Sequence, residues 1–319
     1  MKKLILIPIL LGVTLLIAGS AVAAFGYIHT RKENKYVTNT HDVTETFTNI
    51  KVTSSISTIE VKSSEDAQTK VVCEENEKKY HIVKVEEDTL KIDFKNELRW
   101  YERIFDWDFD FGHKKKVTIY LPNNSYSDLN IKTSTGSIII PAGFTFTNVT
   151  AKSSTGSVKL ESNVTSVANL GASTGSVTVD GINAGELKVD VSTGSIRVKN
   201  TNVSGDALIK ASTGNIETNN FKSDNLTALN SSGSIVMVDT VINNEIVAKA
   251  SSGSIRLERS DADTLDLQTS SGSIRGTILT SKIFQAKTST GRINVPETIT
   301  GGVCKAKTST GSINLSIVE

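Results

Sequence analysis

The feature that most constrains the fold is a Ser-(Ser/Thr)-Gly motif that recurs ten times in the C-terminal three-fifths of the chain. Successive motifs are 19 or 20 residues apart. A period of this length is typical of repeat proteins, in which each unit buries its apolar face only by stacking on its neighbours. The predicted turn glycines are Gly136, Gly156, Gly175, Gly194, Gly214, Gly233, Gly253, Gly272, Gly291 and Gly311.

The residues on either side of each glycine predict two short strands. Apolar residues lie seven and five positions before it, as at Leu129 and Ile131, and two and four positions after it, as at Ile138 and Ile140. Alternation with period two indicates strands with one buried face, and glycine allows the positive φ of a tight turn. The sequence therefore predicts an all-β fold, a single-stranded β-solenoid of about ten 19–20-residue coils.

The remaining part of each predicted coil is less regular and keeps one apolar anchor among polar residues. These anchors are Phe144, Val164, Ile182, Val203, Phe221, Val241 and Ile299.

Both ends of the repeat array carry a specific expectation. Residues 50–61 match the inward pattern with Ser57 in the glycine position, so we expect a degenerate first coil whose outer end is covered by residues 67–122. At the other end, the last coil follows Gly311. We expect its free edge to carry Lys305 and Lys307, and to be a place for end-to-end self-association.

The N-terminus predicts export. An uncharged run from Leu4 to Ile28 is long enough to form one transmembrane helix, which would hold the rest of the chain outside the cytoplasm. Cleavage of a signal peptide near Ala23 is the alternative, and it would release a secreted protein. The predicted organisation is a membrane segment at 1–29, a polar spacer at 30–42, a β-rich cap region at 43–128 and the solenoid at 129–319.

Charge excludes nucleic acid as an expected partner, because the formal net charge is only +1. A local pattern is more informative, since lysines recur four residues before the turn glycine in six coils of ten. They indicate either a surface for an anionic cell-wall polymer or a device that keeps exposed strands soluble. The six lysines are Lys132, Lys152, Lys210, Lys249, Lys287 and Lys307.

One segment, residues 99–116, combines aromatic and acidic residues. Its aspartates alternate as in a calcium-binding loop, but the glycine falls one place late at Gly112, and Val117 stands where a glutamate ligand is required. A hairpin packed on the solenoid and an exposed interaction patch are the other interpretations. The candidate patch residues are Trp100, Tyr101, Trp107, Phe109 and Phe111.

No catalytic residue, cofactor site or metal site is predicted. The four histidines are scattered, and Cys73 and Cys304 belong to different regions, so neither zinc spacing nor a disulfide is indicated. A glycan-active β-helix enzyme would need grouped carboxylates. The densest acidic group is Glu258, Asp261, Asp263 and Asp266, and we interpret these residues as solvated charges in a turn rather than as a catalytic group.

The segment Val117–Pro122 leading into the repeats, together with the recurring Ser-Thr-Gly-Ser-Ile, resembles the DUF4097 family of bacterial β-solenoid proteins described as putative adhesins. An N-terminal membrane segment ahead of this domain is similar to members associated with the cell-envelope stress response. The resemblance implies a non-enzymatic extracytoplasmic binding or scaffold protein that engages an envelope polymer or an envelope protein. The alternative is an accessory or sensor protein of the envelope stress response that acts through membrane partners.

Overall fold

A computed structural model of the protein describes Gly12, residues 14–22, Ala24, residues 36–100 and residues 115–318. Gly12, residues 14–22 and Ala24 are helical, and the rest of the predicted membrane segment lies outside the described residues. Within the part of the chain that the structure describes, no helix has the length and apolar character needed to cross a membrane.

The rest of the described chain is an all-β stack, which confirms the predicted β-solenoid of about ten turns. In chain order the strands are β1 (Val37–Val43), β2 (Asn49–Ser54), β3 (Thr58–Ser63), β4 (Thr69–Glu75), β5 (Lys79–Glu86), β6 (Thr89–Asn96), β7 (Lys116–Leu121), β8 (Ser125–Thr135), β9 (Ile138–Ile140), β10 (Thr145–Thr155), β11 (Val158–Leu160), β12 (Asn163–Thr174), β13 (Val177–Asp180), β14 (Asn183–Thr193), β15 (Ile196–Val203), β16 (Asp206–Thr213), β17 (Ile216–Ser232), β18 (Ile235–Ser252), β19 (Ile255–Glu258), β20 (Thr264–Ser271), β21 (Ile274–Ile278), β22 (Lys282–Thr290), β23 (Ile293–Asn294), β24 (Gly302–Thr310) and β25 (Ile313–Ile317).

Most coils contribute one strand to each of two parallel layers, the first sheet before the turn glycine and the second sheet after it. Strands β17 and β18 each run unbroken from the second layer of one coil into the first layer of the next. Strands that precede a turn glycine pair with one another, as β8 with β10, and strands that follow it pair separately, as β9 with β11. Leu129, Ile131, Ile138 and Ile140 are all at most 1% exposed, so the inward alternation predicted from sequence is observed. Parallel strands buried on one face give the stack a continuous apolar core.

The turn glycine is required for two reasons. Gly156 has φ +142°, in the region that favours glycine, and a Cβ there would lie 2.2 Å from the carbonyl oxygen of Gly136 one coil away. The residue after the glycine then forms a ladder, since the Ser157 backbone N–H donates to Ser137 Oγ at 3.2 Å. The same contact recurs as far as the Arg292 N–H on Ser312 Oγ, so the serine that follows the turn glycine joins neighbouring coils.

At the N-terminal end, residues 50–61 lie inside the stack. Ile50 is in register with Leu129 on one side and with Leu90 on the other, so β2 is sandwiched between β8 and β6. In the second sheet β3 is likewise sandwiched between β9 and β7. Beyond this coil, antiparallel strands cover the end, with β5 on β6, β4 on β7 and β1 on β4.

At the C-terminal end, the coils do not stack in chain order. Leu265 of β20 is in register with Cys304 of β24, and Phe284 of β22 lies on the far side of Cys304. The final coil, β24–β25, is therefore inserted between β20–β21 and β22–β23. The turn hydrogen bonds follow the same order, since the Gly272 N–H donates to the Thr310 carbonyl.

The prediction that Lys305 and Lys307 lie on the free edge is wrong. Lys307 has a strand neighbour on both sides, Gln268 and Lys287, because the last coil in the chain is internal in the stack. The terminal coil is β22–β23, and its inward position Ile293 is 46% exposed, whereas Ile313 of the inserted coil is fully buried.

Two predicted apolar anchors on the less regular side are also wrong. Val241 is exposed and the next residue, Ile242, is buried in its place. Ile299 is 90% exposed because it belongs to the connection that follows the terminal coil. Phe144, Val164, Ile182, Val203 and Phe221 are buried as predicted.

Candidate functional site

The six predicted lysines fall into a single column across the first sheet. In stack order the column reads Thr53, Lys132, Lys152, Gly171, Asp190, Lys210, Leu229, Lys249, Gln268, Lys307 and Lys287. All six lysines are exposed, and Asp190 is the single acid in the column. Two pairs of lysines are direct neighbours in this column, Lys132 with Lys152 and Lys307 with Lys287.

A column of serines runs beside the lysines, two residues before each turn glycine. Its exposed members are Ser134, Ser154, Ser173, Ser192, Ser212, Ser231, Ser251, Ser270, Ser309 and Ser289. We call the two columns together the lysine–serine face. Two shallow grooves lie along it, one beside Lys132 and Lys152 and the other beside Lys210, Lys249 and Lys307.

The charges of this face are mostly unneutralised. Among the described residues, five of the six lysines have no carboxylate within 4 Å, and only Lys249 forms an ion pair, at 3.3 Å from Asp266. Like charges on directly opposed strand positions are destabilising. The neighbouring pairs Lys132–Lys152 and Lys307–Lys287 therefore do not help the fold.

A second column of cations, three residues after the glycine, provides an internal comparison. There three of the four cations are paired, Lys159 with Glu161 at 2.8 Å, Arg197 with Glu217 at 3.2 Å and Arg256 with Glu258 at 3.1 Å. The fourth, Arg275, is exposed and has no carboxylate within 4 Å among the described residues. This column shows how the same fold carries exposed cations when they are neutralised. The contrast distinguishes the lysine–serine face as a surface with an excess of positive charge.

The aromatic patch predicted at residues 99–116 is only partly within the described residues. Trp100 is 75% exposed. Tyr101, Trp107, Phe109 and Phe111 lie outside the described residues, so the three interpretations of this segment remain predictions.

The acidic group considered for glycan chemistry is dispersed by the fold. Asp261 is buried and accepts hydrogen bonds from the backbone of Leu279 and Thr280, and it forms a 3.0 Å ion pair with Lys282. Glu258 is bound to arginines and Asp266 to Lys249. The suggestion that all four are solvated turn charges is thus wrong for Asp261, whose hydrogen bonds stabilise the turn before β22.

The structure brings together three residues that sequence analysis did not connect. Cys73 Sγ, a carboxylate oxygen of Glu75 and a ring nitrogen of His81 lie within 4.8 Å of one another, and all three residues are at most 3% exposed. Cys73 and Glu75 share the inner face of β4, and the turn at Asn76–Lys79 returns the chain so that β5 places His81 beside them. The Cys-x-Glu alternation was a visible signal, but the turn was needed to add the histidine.

The electrostatics of this cluster follow from its burial. Burial raises the pKa of the Cys73 thiol to about 12, and the nearby Glu75 carboxylate adds to the effect. Burial also tends to raise the pKa of Glu75, but hydrogen bonds from His81 and Asn39 outweigh it and hold that pKa below its usual value. Cys304, the second cysteine, is a free buried thiol in β24.

Comparison with known proteins agrees with the architecture. A family model described as Toastrack DUF4097 matches residues 47–210 and 205–319. No curated protein matches the chain. Among solved structures, a putative adhesin from Parabacteroides distasonis ATCC 8503 is 15% identical with a TM-score of 0.50, over 88% of this chain and 97% of that one.

Two further solved structures have lower TM-scores. A putative lipid binding protein from the same organism is 17% identical with a TM-score of 0.44, over 88% of this chain and 96% of that one. A putative adhesin from Bacteroides fragilis NCTC 9343 is 17% identical with a TM-score of 0.37, over 89% of this chain and 98% of that one. Identities this low indicate at most a shared fold, and these two TM-scores support no structural argument. The family model, in contrast, spans the cap region and the whole stack, and the chain belongs to the DUF4097 (Toastrack) family.

Proposed function

We propose that this protein is a non-enzymatic binding or scaffold protein of the bacterial cell envelope, and that its lysine–serine face binds an anionic envelope polymer. The observation that carries the proposal is a set of five exposed lysines in one column that have no carboxylate partner among the described residues. The name putative adhesin, given to the solved structure that is similar at a TM-score of 0.50, supports a binding role of this general kind.

A linear polyanion suits the geometry of the face better than a compact ligand does. Neighbouring coils are about 4.8 Å apart, so the ten coils from Lys132 to Lys287 spread the lysines over roughly 43 Å. The grooves beside them are shallow and are lined by serine hydroxyls, which can donate hydrogen bonds to phosphate or carboxylate oxygens. A lysine ammonium contributes to such binding as a point charge without demanding one geometry.

The proposed location is the outer side of the cytoplasmic membrane, with the N-terminal segment as a single-pass anchor, or the medium if the chain is cleaved near Ala23. The support is the uncharged run from Leu4 to Ile28. Added protease should degrade the stack in intact cells if it is outside. Protection until the cells are lysed would contradict the proposal.

The binding test uses the full-length chain, purified in detergent, with immobilised poly(glycerol phosphate) as the probe. One variant changes Lys132, Lys152 and Lys307 to glutamine. The matched control changes Lys159, Arg197 and Arg256 to glutamine, which removes the same number of charges from the column of paired cations. We expect at least a tenfold loss of affinity in the first variant, less than twofold in the control, and steep weakening with salt.

Equal losses in the two variants would show that net charge alone drives binding, and an unchanged affinity in the first would exclude the face. Vesicles of anionic phospholipid provide the competing polyanion. If the face prefers them, or captures a membrane protein in place of polymer, the accessory role in the envelope stress response becomes the better proposal.

A further inference from the structure

We propose that Cys73, Glu75 and His81 form a zinc-binding site in the cap region, at the end of the stack formed by β1, β4 and β5. The site is separate from the lysine–serine face and does not rest on its function. Cysteine, histidine and carboxylate are the ligands that Zn²⁺ takes in proteins, and a borderline-soft ion suits this mixture of sulfur, nitrogen and oxygen.

The distances between the ligand atoms support a metal site. With Zn–N and Zn–O bonds of roughly 2.0–2.2 Å, the nitrogen and oxygen ligands of a tetrahedral ion are about 3.3 Å apart. His81 Nδ1 and Glu75 Oε2 are 3.2 Å apart. Cys73 Sγ lies within 4.8 Å of both, and the longer Zn–S bond places sulfur about 3.6 Å from the other ligands of a tetrahedral ion.

Neighbouring side chains hold the ligands in the orientation that an ion requires. His81 Nε2 is 3.2 Å from Ser54 Oγ, which can accept the ring N–H and leave Nδ1 for a metal. Asn39 Nδ2 donates to Glu75 Oε1 at 2.7 Å and so directs Oε2 towards the histidine. Metal-ligating histidines and carboxylates are usually oriented by such outer contacts.

The charges balance when a zinc ion is bound. Zinc binding releases the thiol proton of Cys73 to solvent. The Cys73 thiolate and the Glu75 carboxylate then carry −2 together, and one Zn²⁺ neutralises them in a site where each residue is at most 3% exposed. A further histidine, outside this group of atoms, lies on β1. His41 Nε2 is buried without a hydrogen-bond partner, and His41 lies on the same face of β1 as Asn39, whose strand neighbour is Cys73.

Cobalt substitution provides the most direct test. The full-length chain, freed of metal with a chelator, is titrated with Zn²⁺ by calorimetry and with Co²⁺ by absorption spectroscopy. We expect one ion per chain, and a thiolate-to-cobalt charge-transfer band together with the visible bands of a tetrahedral Co²⁺ ion. A stoichiometry near zero, or a Co²⁺ spectrum without the thiolate band, would overturn the proposal using the unaltered protein alone.

Variants then assign the ligands. Cys73→Ser should remove the thiolate band and weaken Zn²⁺ binding at least 100-fold, and Ser54→Ala should weaken it by about 10-fold to 100-fold through loss of the outer contact. Cys304→Ser is the matched control, since Cys304 is also fully buried and free but lies in β24. Loss of binding in Cys304→Ser, or full binding in a folded Cys73→Ser variant, would contradict the assignment.

Discussion

The inserted final coil can be tested by asking which coils are close enough to cross-link. In the structure Gln268 is the strand neighbour of Lys307, and Lys287 lies one coil further on. Stacking in chain order would make Gln268 the neighbour of Lys287 instead. At the strand spacing of about 4.8 Å, the two possible partners of residue 268 are therefore about 4.8 Å and 9.6 Å away.

Disulfide formation distinguishes these two distances, because the bond requires Cα atoms about 4.4–6.8 Å apart and cannot form beyond about 7 Å without backbone movement. Gln268→Cys with Lys307→Cys should oxidise readily, and Gln268→Cys with Lys287→Cys should not. The bond closes a loop of about 40 residues and should stabilise the protein by up to about 4 kcal/mol. The positive control is Lys249→Cys with Gln268→Cys, which are neighbours in either order.

The assay is mobility in a non-reducing gel together with intact mass after catalysed oxidation. The native thiols should not interfere, since burial raises the pKa of both Cys73 and Cys304 to about 12 and shields them from solvent. Efficient formation of the 268–287 disulfide without the 268–307 disulfide would refute the inserted coil. It would also restore Lys305 and Lys307 to the free edge.

Two further predictions concern stability, measured as the free energy of unfolding in urea. Gly194→Ala should lower it by about 3 kcal/mol or more, because the added Cβ would lie 2.2 Å from a carbonyl oxygen at φ +139°. Gly181→Ala, at φ +70° with nothing within 4 Å, should cost only about 1 kcal/mol, and equal losses would contradict the stacking argument. Asp261→Ala should cost about 3–5 kcal/mol because it leaves Lys282 buried and unpaired. Asp239→Ala, which breaks an exposed ion pair, is the control, and a comparable loss there would refute the role of burial.

Much of the fold could be predicted from the sequence because the information is local and repeated. Alternating apolar residues such as Ile196 and Val198 define strands, and Gly194 defines a turn that no other residue occupies without strain. The exposed lysines were also predictable, since a residue four places before a turn faces outward in every coil. Whether they were neutralised was not predictable, because the one carboxylate that pairs with the column, Asp266, comes from a different coil.

The coil order was decided only by the tertiary structure. Every coil offers its neighbours the same register, so β20 can pair in parallel with β22 or β24 at similar local cost, and the sequence pattern alone does not distinguish them. The same limit applies to the buried Asp261–Lys282 pair and to the Cys73–Glu75–His81 cluster, whose members meet only after the chain has turned. By itself the sequence determined the repeating coil and its turn, since these depend on neighbouring residues. Only the tertiary structure decided which coils touch and which polar groups become buried together, because those depend on contacts between distant segments.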